Sequence, residues 1–177
     1  METQRALAAA AISAIFSFSS WRQYSEPVTA RPPLALTTRA VAPDACSLLN
    51  EAQASTILGI TSLPGKRLFG SDPRACVWSD DATAAISNRR LTLTIISTNS
   101  FDAGKTSARV TIEPLGGIGD GAYYVLYKTH ESPFLNVRKG SSAFQVRVLN
   151  GLKSKAFTLD EEKAKEAAAA KLAVAKL

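Results

Sequence analysis

The chain carries one histidine, one methionine and two cysteines in 177 residues, which leaves little material for metal or sulfur chemistry. A structural zinc site takes about four Cys or His ligands, so none is expected, and the sequence implies no cofactor. Neither cysteine lies in a Cys-x-x-Cys, and no Gly-x-Ser-x-Gly elbow is present, so the usual signatures of redox and serine-hydrolase chemistry are missing. Catalytic residues are therefore assigned to none. No apolar run approaches the ~20 residues of a membrane span. Aromatics make up 7% of the chain and are not interleaved with basic clusters, and no helix-turn-helix is visible, so nucleic acid is not an expected partner. What is present suits one ordinary domain. The chain is 46% hydrophobic and 20% charged, and its length is sufficient to bury a core without metal or oligomerisation; a monomer is expected.

Residues 6–18 form a 13-residue apolar run behind Arg5, which is signal-peptide length and too short to span a bilayer. Val28-Thr29-Ala30 fits a cleavage site, giving a signal segment over 1–30. The other reading of this run is an amphipathic or buried N-terminal helix. Residues 31–43, with three prolines, read as an extended linker, and 44–177 as the folded domain. The localisation expected is exported, periplasmic or extracellular, with membrane tethering if the N-terminus stays uncleaved.

The formal charge of +6 is confined to the middle of the chain, where residues 31–157 hold fifteen Lys/Arg against nine Asp/Glu. Spread over a domain, such an excess favours solubility and weak attraction of anions. Cys46 and Cys76 read as a single bridge in an exported chain, or as two separate buried thiols in a cytosolic one.

Helix signals bracket the domain. Asn50 and Gln53 form a capping pair ahead of Ala54, Ile57 and Leu58, with Gly59 as the stop and Asp44-Ala45-Cys46 as a capped turn before them. Thr158-Leu159-Asp160-Glu161 is a capping box opening a helix to the C-terminus, whose Ala164, Ala168, Leu172 and Ala175 stripe is expected to face the sheet and whose Glu/Lys content is expected to be solvated. Between the helices the period becomes two. Leu91, Leu93 and Ile95 alternate with Thr92 and Thr94. Ala75 to Trp78 and Ala122 to Tyr127 read as strands. Leu135 to Val137 and Phe144 to Val148 flank Lys139-Gly140-Ser141-Ser142 as a hairpin, with Asn136, Arg138, Gln145 and Arg147 on its outer face. The class expected is α+β: an antiparallel sheet packed by a short N-terminal helix and a long C-terminal one.

Gly116, Gly117, Gly119 and Gly121 crowd one loop around Asp120, running into Tyr123-Tyr124. The spacing matches no phosphate-binding fingerprint, so a structural bend with Asp120 capping amides is expected; a hydrolase or isomerase using Asp120 with Tyr123 or Tyr124 is the alternative. Trp78, Tyr123 and Tyr124 read either as core or as lining of a ligand groove, with Arg138 and Arg147 as its basic face. His130 lies in a polar connection and reads as a solvated loop residue.

Taken in order, Asp44-Ala45-Cys46-Ser47-Leu48-Leu49, Leu58-Gly59, Cys76-Val77-Trp78, Gly117-Ile118-Gly119-Asp120-Gly121-Ala122-Tyr123-Tyr124, Arg138-Lys139-Gly140 and an Ala/Leu-rich C-terminal helix resemble a family of small bacterial cell-envelope proteins of unknown function, many of them actinobacterial lipoproteins. The resemblance covers roughly residues 44–177. It implies a Cys46–Cys76 disulfide and a PsbP/Mog1-like α/β/α sandwich, and it carries no catalytic residues. The chain departs from the family in lacking a cysteine just after the apolar run, the position a lipid anchor needs. The expected function is a non-catalytic extracytoplasmic binding or accessory module, with an envelope protein, a wall polymer or a small ligand as partner. N-terminal sequencing of the mature protein is expected to return Arg31; a chain still beginning at Met1 in the cytoplasm contradicts the export reading.

Overall fold

The computed structural model describes residues 43–81, 89–106, 108–128, 132–151 and 156–177. The signal segment, the linker up to Ala42 and His130 lie outside the described residues.

The domain begins with a covalent corner. Asp44 accepts the Cys46 N–H at 3.0 Å and starts a single 3-10 turn, Ala45–Ser47. Cys46 is bonded to Cys76, 30 residues on, which ties this turn to a core strand. Closing a loop of that length contributes about 3–4 kcal/mol by restricting the unfolded chain. Helix α1, Glu51–Leu58, follows behind a reciprocal capping box of Asn50 and Gln53 and stops at Gly59, which is left-handed at φ 67°. Ala54, Ile57 and Leu58 are its buried residues.

Seven strands then form one antiparallel sheet: β1 Lys66–Arg67, β2 Ala75–Ser79, β3 Arg90–Ile96, β4 Val110–Leu115, β5 Gly121–Tyr127, β6 Phe134–Lys139 and β7 Ser142–Leu149, in the order β1-β2-β3-β7-β6-β5-β4. The β6–β7 hairpin turns through Gly140 at φ 57° and Ser141. It inserts between β3 and β5, so the two middle strands come from the most strongly alternating part of the sequence. Two strands left little signal. β1 is two residues long, and β4 contains Glu113 and Pro114. Proline is tolerated in β4 because that strand is an edge, paired only with β5, and its missing N–H costs the sheet nothing on the open side.

Strand alternation sorts side chains onto two faces. Cys76, Trp78, Leu91, Leu93, Leu135, Val137, Phe144, Val146 and Val148 go to one face and form the main core with α1 and helix α3, Leu159–Val174. The opposite face carries a smaller cluster of Phe101, Tyr123, Val125 and Ala143, roofed by helix α2, Thr98–Ala103. Six residues with a single large apolar side chain give α2 no sequence periodicity. Its cap, Ser97 accepting from Ser100 N–H, and the anchoring of Phe101 hold it in place. The α+β class is therefore observed, with helices on both faces of the sheet.

The inward face of α3 differs from the expected one. Ala164, Ala168 and Ala175 are exposed, and the buried residues are Glu162, Glu166, Ala169, Ala170 and Ala173. The expectation of solvated glutamates is corrected by a backbone need. β6 pairs with β7 only as far as Leu135 opposite Val146, which leaves the Val148 N–H beyond the end of that ladder; Glu166 Oε1 accepts it at 3.0 Å. Glu162 accepts from Asn150 Nδ2 at 2.6 Å and Ser132 Oγ at 3.3 Å. In an alanine-rich helix the apolar contrast between faces is slight, so these polar anchors decide which side turns inward.

Glu166 is fully buried, and burial first of all pushes its carboxyl up to about 9 from an ordinary 4.5. Folding therefore takes up a proton between those values. The stability contributed by the neutral acid is complete below about pH 4.5 and is lost as pH rises through about 9. Glu166→Gln keeps the acceptor and removes the titration, so its urea midpoint is expected to exceed that of the parent at about pH 8, with the gap closing at about pH 5. Parallel pH profiles for the two proteins would show that Glu166 is charged in the fold.

Candidate functional site on the open sheet face

On the α2 side of the sheet, β3 and β7 place polar residues opposite one another. Thr92 faces Arg147, Thr94 faces Gln145 and Arg90 faces Leu149. Each alternates with a core residue, so the set projects together from the face that Val77 also reaches. With Leu68 after β1, these residues line a cleft of about 330 Å³. α2 covers the β5–β7 side of this face, and the cleft lies beyond it over β2, β3 and β7.

Arg90 and Arg147 are diagonal cross-strand neighbours, a relation that puts Cβ atoms about 7–8 Å apart, within reach for side chains of this length. Both are half-buried. Burial, and then the Arg147 guanidinium beside it, lower the pKa of Arg90 below the usual arginine value. Arg147 also acts electrostatically on Glu162 and Glu166 of α3, opposing the upward shift that burial gives their carboxyls. Each guanidinium offers a planar fork that matches a carboxylate or phosphate, and Thr92, Thr94 and Gln145 add neutral hydrogen-bonding groups around it.

The other residues singled out in the sequence are dispersed. Trp78 is buried in the main core, and a Cβ on Gly65 would come within 2.6 Å of its indole Nε1 and 2.8 Å of Cys76 Sγ, so glycine there lets the backbone close over the tryptophan and the disulfide. Tyr123 and Tyr124 point to opposite faces. The Tyr123 hydroxyl donates to Phe101 O under α2, and the Tyr124 hydroxyl donates to Lys163 O at 2.6 Å under α3. Burial raises the pKa of both phenols, that of Tyr124 to about 12. The three aromatics thus line no common groove. Arg138 shares the face of Arg147 but sits four residues nearer the hairpin turn, over the Phe101 ring and 3.8 Å from Asp102.

Asp120 is exposed and bridges the β4–β5 turn to the β6–β7 turn, accepting from Gly140 N–H at 2.6 Å and Lys139 Nζ at 3.4 Å. The Gly140 amide, followed by the Lys139 and Arg138 charges, holds its carboxyl below the ordinary range, which weakens it as a base. Among the described residues no group of three or more His, Cys, Asp or Glu side chains is placed to hold a metal, and no helix is long and apolar enough to cross a membrane. Arg90 carries no local signal in the sequence, because only the register of β3 against β7 makes it a neighbour of Arg147. No family model, curated protein or solved structure matches this chain.

Of the loop glycines, Gly117 and Gly119 are left-handed, at φ 78° and 60°, whereas Gly121 opens β5 with an ordinary backbone. A Cβ on Gly119 would also collide with Arg138 O, while on Gly121 it would meet only the Phe101 ring at 3.8 Å. Gly119→Ala is expected to cost about 1–3 kcal/mol and Gly121→Ala less than about 0.5 kcal/mol. Asp120→Ala should lower the melting temperature by removing the tie to Gly140. Equal melts for the two glycine variants would contradict the strain assigned to Gly119.

Proposed function

We propose that the protein is an extracytoplasmic binding module of the bacterial cell envelope, and that the cleft around Arg90 and Arg147 takes an anionic group from its partner. The single observation carrying this is the pairing of two half-buried guanidinium groups on one concave stretch of sheet, with Thr92, Thr94 and Gln145 beside them. The partner is an envelope protein, a wall polymer or a small ligand that presents carboxylate or phosphate. The Cys46–Cys76 disulfide supports export, because such bonds persist in oxidising compartments. The ordered motifs shared with small envelope proteins support the same setting and a PsbP/Mog1-like sandwich as the finer fold class. A binding role agrees with the dispersal of Asp120, Tyr123 and Tyr124, which leaves the Asp120-centred chemistry without an assembled site.

Citrate is a suitable probe of the cleft because its carboxylates reach both arginines. Calorimetric titration should show saturable binding that falls at least about tenfold in Arg90→Gln/Arg147→Gln, as expected when charge-assisted hydrogen bonds are removed. Arg147→Lys, which keeps the charge and loses the fork, should fall in between. Arg138→Gln, on the same face about 13 Å along the strands, should bind as the parent does. Equal binding by the double variant overturns the assignment.

A further inference from the structure

A second pocket, of about 230 Å³, lies on the same sheet face as the arginine cleft but further along it, between α2 and the β4 edge. Ile96, Val110, Val125 and Phe134 wall it, and none of its lining side chains is charged. Tyr127 stands at the rim with its ring 5.7 Å from that of Phe134. The polar groups at the floor form a relay whose direction is fixed at one end. Phe101 O is a carbonyl and can only accept, so the Tyr123 hydroxyl must donate to it. The Tyr123 oxygen then accepts from Asn136 Nδ2 at 3.0 Å, which turns Asn136 Oδ1 toward Gln145, whose Nε2 donates to it at 3.3 Å. Each amide is thereby oriented by its neighbour. The relay ends on Gln145 Oε1, an acceptor that meets no donor among the described residues. Apolar walls with one open acceptor select a guest of the reverse pattern, with hydrocarbon faces and one donor.

We infer that this pocket binds a small neutral aromatic compound bearing one N–H or O–H donor, of the size and kind of indole. An apolar cavity of about 150 Å³ takes benzene, so about 230 Å³ has room for two fused rings. An aromatic guest packs edge-on or offset against the Tyr127 and Phe134 rings, and its donor on Gln145 Oε1 completes the relay. A charged guest would find no charged partner in the lining. A plain hydrocarbon would strip water from the Gln145 oxygen and give it no donor in return. The inference goes beyond the anion cleft: it uses neither Arg90 nor Arg147, and the two sites share only Gln145.

The test is calorimetric titration of the full-length protein with indole and with 1-methylindole, which keeps the rings and lacks the N–H. Indole should bind saturably, and 1-methylindole about three- to tenfold more weakly, as one neutral hydrogen bond is lost. Gln145→Met, which keeps the side-chain length and removes the acceptor, should close that gap by weakening indole alone. Val110→Trp on the edge strand and Ser100→Trp at an exposed position of α2 should each fill the pocket. Either should weaken indole by about tenfold or more, with a cooperative melt like that of the parent showing that the variant folds. Equal affinities for indole and 1-methylindole in the parent overturn the donor-bearing ligand class. Indole binding that ignores both tryptophan variants overturns the placement. Absence of saturable indole binding overturns the inference as a whole, and citrate binding by the same protein would then show the arginine cleft standing without it.

Discussion

Strict alternation along β3 and the β6–β7 hairpin sends Leu91, Leu93, Leu135, Val137, Phe144, Val146 and Val148 to one side of the sheet, where burying each large side chain is worth about 1.5–3 kcal/mol. A slip of one residue in any of these strands would expose that entire set to water, so the register is strongly fixed. The same fixation decides the other face. Once Leu91, Leu93, Val146 and Val148 are committed inward, Arg90, Thr92, Gln145 and Arg147 have no choice but to project together on the far side. The cleft is a consequence of core packing.

The ends of the sheet show how the remaining backbone groups are accommodated. β6 stops pairing with β7 before Val148, and α3 supplies a buried carboxyl to the exposed amide. At the opposite end of the hairpin, Asp120 reaches from the neighbouring turn to the Gly140 amide. Both are single acceptors for single donors, but their surroundings differ. Asp120 is solvated beside two cations and stays charged, whereas Glu166 is fully buried, and burial favours its neutral form. Lys165 ties the two helices on the core face by donating to Ile57 O at the end of α1, which satisfies one of the carbonyls a helix terminus leaves open.

Much of this was legible in the residues. Both capping boxes, the stop at Gly59, the strands β2, β3 and β5 and the β6–β7 hairpin follow from local signals that act over a few positions. β4 was hidden because Pro114 is acceptable only on an edge, and edge status depends on strand order. α2 was hidden because its one anchor, Phe101, packs on Tyr123, which is distant in sequence. The inward face of α3 was misjudged because alanine marks neither face and the deciding partner, Val148 N–H, becomes unpaired only once β6 has ended. For the site, Arg147 stood out as the polar half of an alternation. Arg90 did not, since only the register of β3 against β7 makes it the neighbour of Arg147.

The central claim is that the sheet face opposite α1 and α3 is the binding face. Backbone amide chemical shifts of labelled protein, followed during titration with citrate, test it most directly. The account predicts that perturbed amides concentrate in β3 from Arg90 to Thr94 and in β7 from Gln145 to Leu149, with those of α1 and α3 left in place. Perturbations centred on α1 and α3, or on the Gly117–Gly121 loop around Asp120, would contradict it.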